Sequence, residues 1–507
     1  MKGILQNYKM EEEKREDIEI NTSKLTSWFT NKNNLMFLGV LIFAIAIRLY
    51  YFKMTYNQPL WWDEAEYMNM AKAWAFSRPY EFLAVRPVLF SFFASLFFRI
   101  TSSEFPTRFL MLILSIFSVV GVYYLGKEVY DQRTGLLASF FMSIFYLNLF
   151  FSYRLLVDLP SLTFFTFGAY FFYRYFKNNE VKMLYYGAIV IGIGTLFRIN
   201  TAVYLFVAAI FTLLTNAKLL KKKEVWISAL IFFLILSPYL IWGYLQFHGF
   251  VITQAGKYNA PVPGTVISTA LSNTTIYLSS FPTYMTWTLL LFTLLGLFLM
   301  YNLVLAPDLL SKGHNKLKGD FYILLLLLIP FLAAVFLIAH TEDRYILNVF
   351  PAIFIIGSLG IFKGYDLIKK KSKILAIILL CVLLIFITYS QYQSADGLIK
   401  QKLTSYGDFK DAGSWLKQNS LQTDRAVVSG SPMVTFYSDR DSFGFPNTEE
   451  EFNNLLKTDK NIKYFILAAI QPSPDWTYAY PQRHNLTVAK SYSTLNSNQA
   501  SLIIYKL

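Results

Sequence analysis

Residues 35–67 read LMFLGVLIFAIAIRLYYFKMTYNQPLWWDEAEY, which is an apolar run, then a polar link, then an acidic cluster. About 20 apolar residues are enough for a helix to cross a bilayer. Comparable runs recur along the chain of 507 residues, of which 55% are hydrophobic and only 15% are charged. Soluble globular proteins carry about 25% charged residues. The composition therefore excludes a soluble enzyme, a disordered chain and a coiled coil, and it predicts a mainly α-helical, polytopic membrane protein.

About eleven segments are predicted to be transmembrane helices, because each is a largely apolar run of nearly spanning length. They cover residues 35–52, 108–126, 135–152, 159–176, 184–199, 201–216, 225–243, 286–304, 321–339, 346–362 and 374–390. An alternative topology joins 184–216 into one helix and lets 85–100 span. We favour an amphipathic helix at the outer interface for 85–100, because the unbroken apolar stretch Val88–Phe98 is only about half a span.

The distribution of positive charge predicts the orientation. The net charge of +14 does not indicate nucleic-acid binding, because lysines and arginines lie in short clusters between apolar runs. By the positive-inside rule these clusters face the cytoplasm. We therefore expect a multi-pass protein of the plasma membrane, with a cytoplasmic tail at 1–34, a transmembrane domain at 35–391 and an extracytoplasmic C-terminal domain at 392–507.

Three regions are predicted on the outer side. Residues 53–107 form the loop that carries the acidic cluster, and residues 244–285 are loop-like. The tail at 392–507 has the pattern of a small α/β domain. Its predicted elements are a helix from Asp408 to Trp415, strands at 425–429, 463–470 and 501–506, and a capping box at Thr448–Glu451 that opens a helix to Leu456.

The acidic cluster Trp61-Trp62-Asp63-Glu64-Ala65-Glu66-Tyr67 is the first candidate for chemistry. It allows two interpretations with similar weight. Asp63 could cap an interfacial helix whose apolar face includes Tyr67. Alternatively, one carboxylate at the membrane surface could act as a general base.

Asp158 is the second candidate, in the segment Asp158-Leu159-Pro160. Asp158 suits the N-cap of the next helix, and Pro160 suits its first turn. In the favoured topology, however, Asp158 reaches the same face of the membrane as Asp63 and Glu64. Convergence of three carboxylates there is more than capping requires.

The third candidate is the short turn His340-Thr341-Glu342-Asp343-Arg344-Tyr345, which holds four ionisable groups between two apolar helices. The planar fork of Arg344 matches phosphate oxygens. The alternative is a local ion pair of Arg344 with Glu342 or Asp343. Arg86, Arg108 and Arg198 also lie at outer helix ends, where each could simply reach toward the interface.

The order and spacing of these motifs resemble those of GT-C glycosyltransferases, in particular the family of protein O-mannosyltransferases and of the aminoarabinose transferases that act on lipid A. The matching stretches are Asp63-Glu64, Arg86-Pro87-Val88-Leu89-Phe90, Glu104-Phe105-Pro106-Thr107-Arg108-Phe109, Asp158-Leu159-Pro160 and Arg344-Tyr345-Ile346-Leu347 with Pro351. Some positions depart from the pattern. Arg86 replaces a lysine of the family, Val88 replaces its second proline, and Val85 stands where the aminoarabinose branch often has an acid. This weakens any metal site borrowed from that branch.

The resemblance implies inverting transfer of a sugar from a polyprenyl-phosphate donor to a protein, lipid or glycan acceptor at the outer face. It makes Asp63 the favoured base, with Glu64 close behind, and Asp158 a supporting carboxylate. It also predicts two sets of substrate contacts. Donor phosphate would meet Arg86, Arg344 and Arg198, and other substrate groups would meet His340, Glu342 and Tyr67. No cofactor is expected, since arginines can screen the phosphate, but a divalent metal between the carboxylates stays an alternative.

The sequence is also compatible with two other functions. A polysaccharide polymerase or ligase would share the polytopic form and arginine-rich outer loops. A lipid-linked sugar transporter would need charges along a pathway through the membrane. The predicted spans hold few charges, with Arg48 and Arg174 placed near span ends, so transport is the weaker alternative.

Overall fold

The computed structural model describes residues 29–78, 82–252, 255–256, 260–305, 315–493 and 500–507. Most of the predicted tail 1–34 lies outside these residues. Among those described, eight helical segments are long and apolar enough to cross a membrane. The remaining predicted spans are also helical, but they are shorter, less apolar or interrupted. The chain is thus a mainly α-helical, multi-pass membrane protein with a small C-terminal sheet, and the predicted fold class is confirmed.

The membrane part and its outer loops contain fifteen α-helices among the described residues. They are α1 (Lys32–Thr55), α2 (Trp62–Phe76), α3 (Val88–Phe98), α4 (Phe105–Val129), α5 (Gln132–Ile144), α6 (Tyr146–Phe151), α7 (Asp158–Asn178), α8 (Val181–Phe197), α9 (Tyr204–Asn216), α10 (Lys223–Phe247), α11 (Val266–Phe298), α12 (Asn302–Leu305), α13 (Asn315–Leu337), α14 (Phe350–Lys369) and α15 (Lys373–Lys402). Short 3₁₀ turns at Ile199–Val203, Ala217–Lys221 and Asp343–Val349 connect some of them.

The predicted span 135–152 is not one helix. It breaks at Phe145 into α5 and α6. Two buried side chains satisfy the backbone groups that the break frees. Arg48 of α1 donates to the carbonyl of Ser143 at 3.1 Å, and Gln391 of α15 accepts from the amide of Tyr146 at 3.0 Å. Arg48 is therefore a fully buried partner inside the bundle.

The predicted loop 244–285 is wrong from residue 266 onward, where helix α11 begins. The predicted span start at 286 coincides with a kink, because Thr286 has a φ of 69° within the helix. The first half of α11 contains two polar side chains, Asn273 and Tyr277, that bond to neighbouring elements. The Asn273 side chain donates to the carbonyl of Val335 at 3.3 Å and to that of Ile338 at 2.9 Å. It therefore bonds carbonyls at the end of α13 and just after it.

The C-terminal sheet has five strands among the described residues, β1 (Arg425–Val428), β2 (Ser442–Phe443), β3 (Ile462–Ala468), β4 (Thr487–Ser493) and β5 (Ala500–Lys506). Their order is β2-β1-β3-β5-β4. β1 runs parallel to β2 and β3, whereas β5 is antiparallel to β3 and β4. Four helices accompany the sheet, α16 (Gly407–Asn419), α17 (Ser431–Ser438), α18 (Glu449–Thr458) and α19 (Trp476–Arg483). The three predicted strands and the capping box at Thr448 and Glu451 are present.

The sheet unit docks on helix α2 through α17. The Asn69 side chain donates to the carbonyl of Pro432 at 2.8 Å, and the backbone amide of Leu60 donates to the hydroxyl of Tyr437 at 2.9 Å. These contacts fix the helix whose first turn carries the acidic cluster. Helix α15 crosses the predicted domain boundary at 391 without interruption and leads directly to this unit.

Candidate active site

Helix α2 begins at Trp62, and its first turn separates the two adjacent carboxylates. Glu64 accepts from the amide of Trp61 at 2.7 Å and so completes the start of the helix. Asp63 therefore does not cap the helix. Neighbouring helical residues point in different directions, so Asp63 and Glu64 enter different surroundings.

Asp63 faces a cavity of about 770 Å³ that lies among α2, the start of α7, the end of α8 and the turn before α14. A volume of this size is in the range that binds small-molecule ligands. Eight of the nine predicted site residues line it, namely Asp63, Tyr67, Arg86, Asp158, Arg198, His340, Glu342 and Arg344. The ninth, Glu64, does not.

Both oxygens of Asp63 are engaged by arginines from distant segments. Arg86, just before α3, pairs with one oxygen, and Arg344 pairs with the other at 2.8 Å. Arg86 also pairs with Glu66. Burial would raise the pKa of Asp63, but Arg86 and Arg344 outweigh burial and hold that pKa below its usual value. Asp63 is thus an ionised carboxylate at neutral pH.

Asp158 is the first residue of α7, and its side chain makes no capping bond. It pairs instead with Arg198, at the end of α8, and lies 3.9 Å from Arg344. Arg344 therefore lies between Asp63 and Asp158. The capping alternatives for both aspartates fail, and the two carboxylates meet through shared arginines.

The turn before α14 also contains the local ion pair that the sequence left open. Arg344 bonds Glu342 at 2.7 Å in addition to Asp63. Glu342 further accepts from the hydroxyl of Tyr345 at 2.8 Å and lies 3.2 Å from His340. Burial would raise the pKa of Glu342, but Arg344 lowers it below its usual value. Asp343 turns away and accepts from Tyr284 at 2.6 Å.

Glu64 lies in a closed pocket behind the cavity. It pairs with Arg154 at 2.6 Å, and both side chains are 0% exposed. Its other oxygen accepts from the amide of Leu155 at 2.6 Å, and the Arg154 guanidinium lies 3.8 Å from the centre of the Trp61 ring. This arrangement ties the start of α2 to the segment before α7.

Arg108, the arginine before the second predicted span, is also fully buried and away from the cavity lining. It pairs with Glu104 at 2.6 Å and donates to the carbonyls of Gln58 and Tyr153 at 2.8 and 3.1 Å. It holds the loop that precedes α2 against the segment before α7.

Sequence reasoning missed Glu66, Arg154, Tyr345 and Asn348. Glu66 could have been found, because it lies three residues after Asp63 and therefore on a similar face of the helix. The partnership of Arg154 with Glu64 joins residues 90 positions apart and leaves no local signal.

The lining of the cavity combines charged and apolar side chains. The apolar residues, called the apolar wall below, come mainly from the second half of α13, from the stretch that leads into α11 and from the 3₁₀ turn after α8. They include Ile199, Val203, Val266, Pro330, Ala334 and Leu337. A cavity of this kind suits a ligand with a charged head and a hydrocarbon chain.

The donor set does not suit a metal ion. Among the described residues, no three His, Cys, Asp or Glu side chains come together as ligands for one metal. Asp63 and Asp158 face Arg344 between them, where a bridging cation would have to lie. Glu64 is closed off with Arg154.

Residues 85–242 match the model of the family described as dolichyl-phosphate-mannose-protein mannosyltransferase. The matched segment contains Arg86, Asp158 and Arg198. No curated protein sequence is similar enough to the chain to count as a match.

Several solved structures are similar to the chain in fold at low sequence identity. ArnT from Cupriavidus metallidurans bound to undecaprenyl phosphate has a TM-score of 0.62 and 10% identity, covering 93% of this chain and 97% of that one. The oligosaccharyltransferase AglB from Archaeoglobus fulgidus, in complex with an inhibitory peptide and a dolichol-phosphate, has a TM-score of 0.58 and 13% identity over 85% of this chain and 69% of that one. The arabinofuranosyltransferase AftD from Mycobacteria has a TM-score of 0.55 and 11% identity over 92% of this chain and 41% of that one.

The predicted resemblance is confirmed by these likenesses: the chain has the fold of the GT-C glycosyltransferases, and its segment 85–242 matches the dolichyl-phosphate-mannose-protein mannosyltransferase family.

Proposed function

We propose that the protein is an inverting glycosyltransferase, which moves a sugar from a polyprenyl-phosphate donor to a protein, lipid or glycan acceptor at the outer face of the plasma membrane. The observation that carries this proposal is the sharing of Asp63 between Arg86 and Arg344 in a cavity with one apolar wall. A base, phosphate-binding cations and a surface for a lipid chain then lie in one place.

The donor fits the cavity in one orientation. Its hydrocarbon chain lies against the apolar wall, which Val266, Pro330 and Leu337 represent. Its phosphate reaches Arg86, Arg198 and Arg344, since guanidinium groups bind phosphate oxygens with paired, charge-assisted hydrogen bonds. The anomeric carbon of the sugar then lies between the phosphate and Asp63.

The reaction follows from this placement. The acceptor hydroxyl attacks the anomeric carbon of the sugar, and Asp63 takes the hydroxyl proton. The bond from that carbon to the phosphate oxygen breaks, and its electron pair stays on the phosphate. The arginines stabilise the additional negative charge, so the leaving group needs no proton. Attack opposite the phosphate inverts the anomeric carbon.

Asp158 positions the arginines in this scheme. It pairs with Arg198 and lies near Arg344, so it sets the spacing of two phosphate-binding groups. Glu64 positions Asp63, because it fixes the first turn of α2 and faces away from the substrate.

The proposal can be tested with purified protein and polyprenyl-phosphate mannose, other lipid-phosphate sugars and a lipid-diphosphate oligosaccharide. A mixed envelope extract supplies acceptors. We expect one lipid-phosphate sugar to be consumed, Asp63→Asn to abolish consumption, and EDTA to have no effect. Asp343→Asn is the matched control, because Asp343 lies in the same region but bonds Tyr284.

Other outcomes would redirect the assignment. Use of the lipid-diphosphate oligosaccharide alone favours a polymerase or ligase. Loss of activity with EDTA means that a metal, and not arginines alone, screens the phosphate. Full activity of Asp63→Asn removes Asp63 from the role of base.

A further inference from the structure

A second polar cleft lies where helix α2 meets the C-terminal unit. Its volume is about 210 Å³, which is small for a whole ligand and suits a single charged group. Its charged lining residues are Lys72, Arg78, Asp439, Arg440 and Asp441. None of them lines the cavity that contains Asp63.

Three cations converge on one carboxylate at this cleft. Lys72 and Arg78 reach one oxygen of Asp439 at 2.9 and 2.7 Å, and Lys417 reaches the other at 2.6 Å. Burial would raise the pKa of Asp439, but Lys417 and Lys72 hold it well below its usual value.

Arg440 adds a fourth cation. Among the described residues, it donates to the Ser420 hydroxyl and to backbone carbonyls, including that of Lys417 at 3.3 Å, and it pairs with no carboxylate. Asp441 also lines the cleft. It pairs with Arg425 at 3.4 Å, and Arg425 also pairs with Asp459 at 2.7 Å, so these groups add two carboxylates and one cation. The described residues around Asp439 therefore carry an excess of positive charge.

A docking contact does not account for this excess. One cation is enough to pair with Asp439, and each further cation near it repels the others. Lys72 is only 15% exposed, and besides Asp439 it donates to the carbonyl of Phe436 at 2.6 Å. A second anion in the cleft would balance the remaining positive charge. Arg78 lines the cleft and is 40% exposed, so it can reach such an anion, and Lys417 adds its charge through Asp439.

We propose that this cleft is a binding subsite for a phosphate group, carried either by the acceptor or by a lipid headgroup. The acceptor source rests on the proposed function. Asp63 and Lys72 lie nine residues apart on one helix, which corresponds to about 14 Å at 1.5 Å per residue. A phosphate in the cleft would hold an acceptor whose reacting hydroxyl lies about that far away.

Phosphate binding can be measured without any turnover, so failure of this subsite and failure of the transferase assignment are distinguishable. The full-length protein in detergent is first saturated with undecaprenyl phosphate, which fills the donor site. Inorganic phosphate is then titrated against chloride at constant ionic strength while the thermal unfolding midpoint is followed. We expect a saturable rise of the midpoint in phosphate only.

Arg78→Gln and Lys417→Gln should each weaken phosphate binding about tenfold, since the first removes a charge-assisted contact and the second removes a positive charge beside the cleft. Arg133→Gln is the control, because Arg133 is a similarly exposed arginine that pairs with Asp366 at 3.8 Å. Equal responses to phosphate and chloride would overturn the subsite. So would wild-type affinity in both Arg78→Gln and Lys417→Gln.

Added phospholipid separates the two sources. If phosphatidylglycerol in the micelle abolishes the response to inorganic phosphate, a lipid headgroup occupies the cleft. If the response persists, the phosphate comes from the acceptor.

Discussion

Asp63 has two partners that the donor phosphate also needs. Arg86 and Arg344 both bind its carboxylate. A phosphate that takes these arginines must displace Asp63, and displacement frees the carboxylate to accept a proton. Donor binding and activation of the base are then one event, which favours binding of the donor before the acceptor.

The substitution Asp63→Asn should therefore have opposite effects on catalysis and on binding. Transfer is lost with the base. The affinity for undecaprenyl phosphate should rise about tenfold. The phosphate no longer has to replace charge-assisted hydrogen bonds between Asp63 and the arginines, which contribute about 1.5 kcal/mol. Equilibrium binding of the fluorescently labelled lipid measures this change.

The control for that prediction is Asp343→Asn. It removes a carboxylate from the same turn, but that carboxylate bonds Tyr284 and no arginine. Its affinity for the lipid should stay at the wild-type value. Equal tightening in both variants would point to general repulsion of the phosphate, and unchanged affinity in Asp63→Asn would disprove competition for the arginines.

The pH dependence of the rate follows from the same contacts. In the free protein the arginines keep the pKa of Asp63 below its usual value. The acid limb of kcat/KM for the donor should thus lie below about pH 4. Once phosphate engages the arginines, burial raises the pKa, so the acid limb of kcat should lie at higher pH. Initial rates across the pH range measure both limbs, and coincident limbs would contradict the model.

Adjacent carboxylates show what the sequence can and cannot predict at this level. Asp63 and Glu64 are adjacent acidic residues in a predicted outer loop, and the sequence alone makes both of them candidates for the base. Only the start of α2 at Trp62 separates them, because it turns Asp63 into the cavity and Glu64 toward Arg154. That outcome depends on a residue 90 positions away.

The start of helix α2 depends on the buried pair of Glu64 and Arg154. Glu64→Gln leaves the Arg154 guanidinium buried without its charge partner and should lower stability by about 3–5 kcal/mol. The double substitution Glu64→Gln with Arg154→Leu removes both charges. Its single amide oxygen can accept from Trp61 or from Leu155 but not from both, because these amides bond different oxygens of Glu64. It should therefore recover the part of the loss that comes from the unpaired charge. Thermal unfolding in detergent measures both.

Activity of the double variant gives a second readout. If Glu64 only positions α2, transfer recovers together with stability. Recovered stability without any transfer would instead make Glu64 part of the chemistry. A double variant as unstable as Glu64→Gln would show that the pair is not what holds the start of the helix.

Helices with polar partners were the elements that the sequence predicted least well. Apolar runs located α1, α4, α7 and α10 within a few residues. The first half of α11 is rich in serine and threonine and looked like a loop, but Asn273 bonds the end of α13. The helix break at Phe145 was not predicted either. The side chains that satisfy its backbone groups, Arg48 and Gln391, lie in other helices and leave no local signal.

For the whole molecule, composition and the order of motifs were sufficient to predict the fold. Long apolar runs predicted the helical bundle, and short apolar runs predicted three buried strands of the C-terminal sheet. The short β2 and the exposed β4 were not predicted. β2 has two residues and β4 is mostly exposed, so neither leaves a pattern of buried positions.

The C-terminal unit should act on catalysis through its contact with the loop before α2. Tyr437→Phe removes the hydroxyl that accepts from the amide of Leu60. The unpaired amide should cost about 1–3 kcal/mol and loosen the first turn of α2. We expect lower kcat and faster hydrogen exchange at residues 57–65.

Tyr478→Phe is the matched control, because Tyr478 accepts from the amide of Ser473 within the C-terminal unit itself. It should leave kcat and exchange at 57–65 unchanged. If both tyrosine variants behave like the wild type, the C-terminal unit does not stabilise the loop through this contact.

Helix α15 gives the molecule a mechanical connection to its bilayer. Its 30 residues extend about 45 Å, whereas the hydrocarbon core is about 30 Å thick, and the helix continues unbroken to the C-terminal unit. A thinner or thicker bilayer changes the tilt of such a helix. A change in the tilt of α15 would move the C-terminal unit, which contacts α2 and the loop before it. Bilayer thickness would then affect how rigidly the acidic cluster at the start of α2 is positioned.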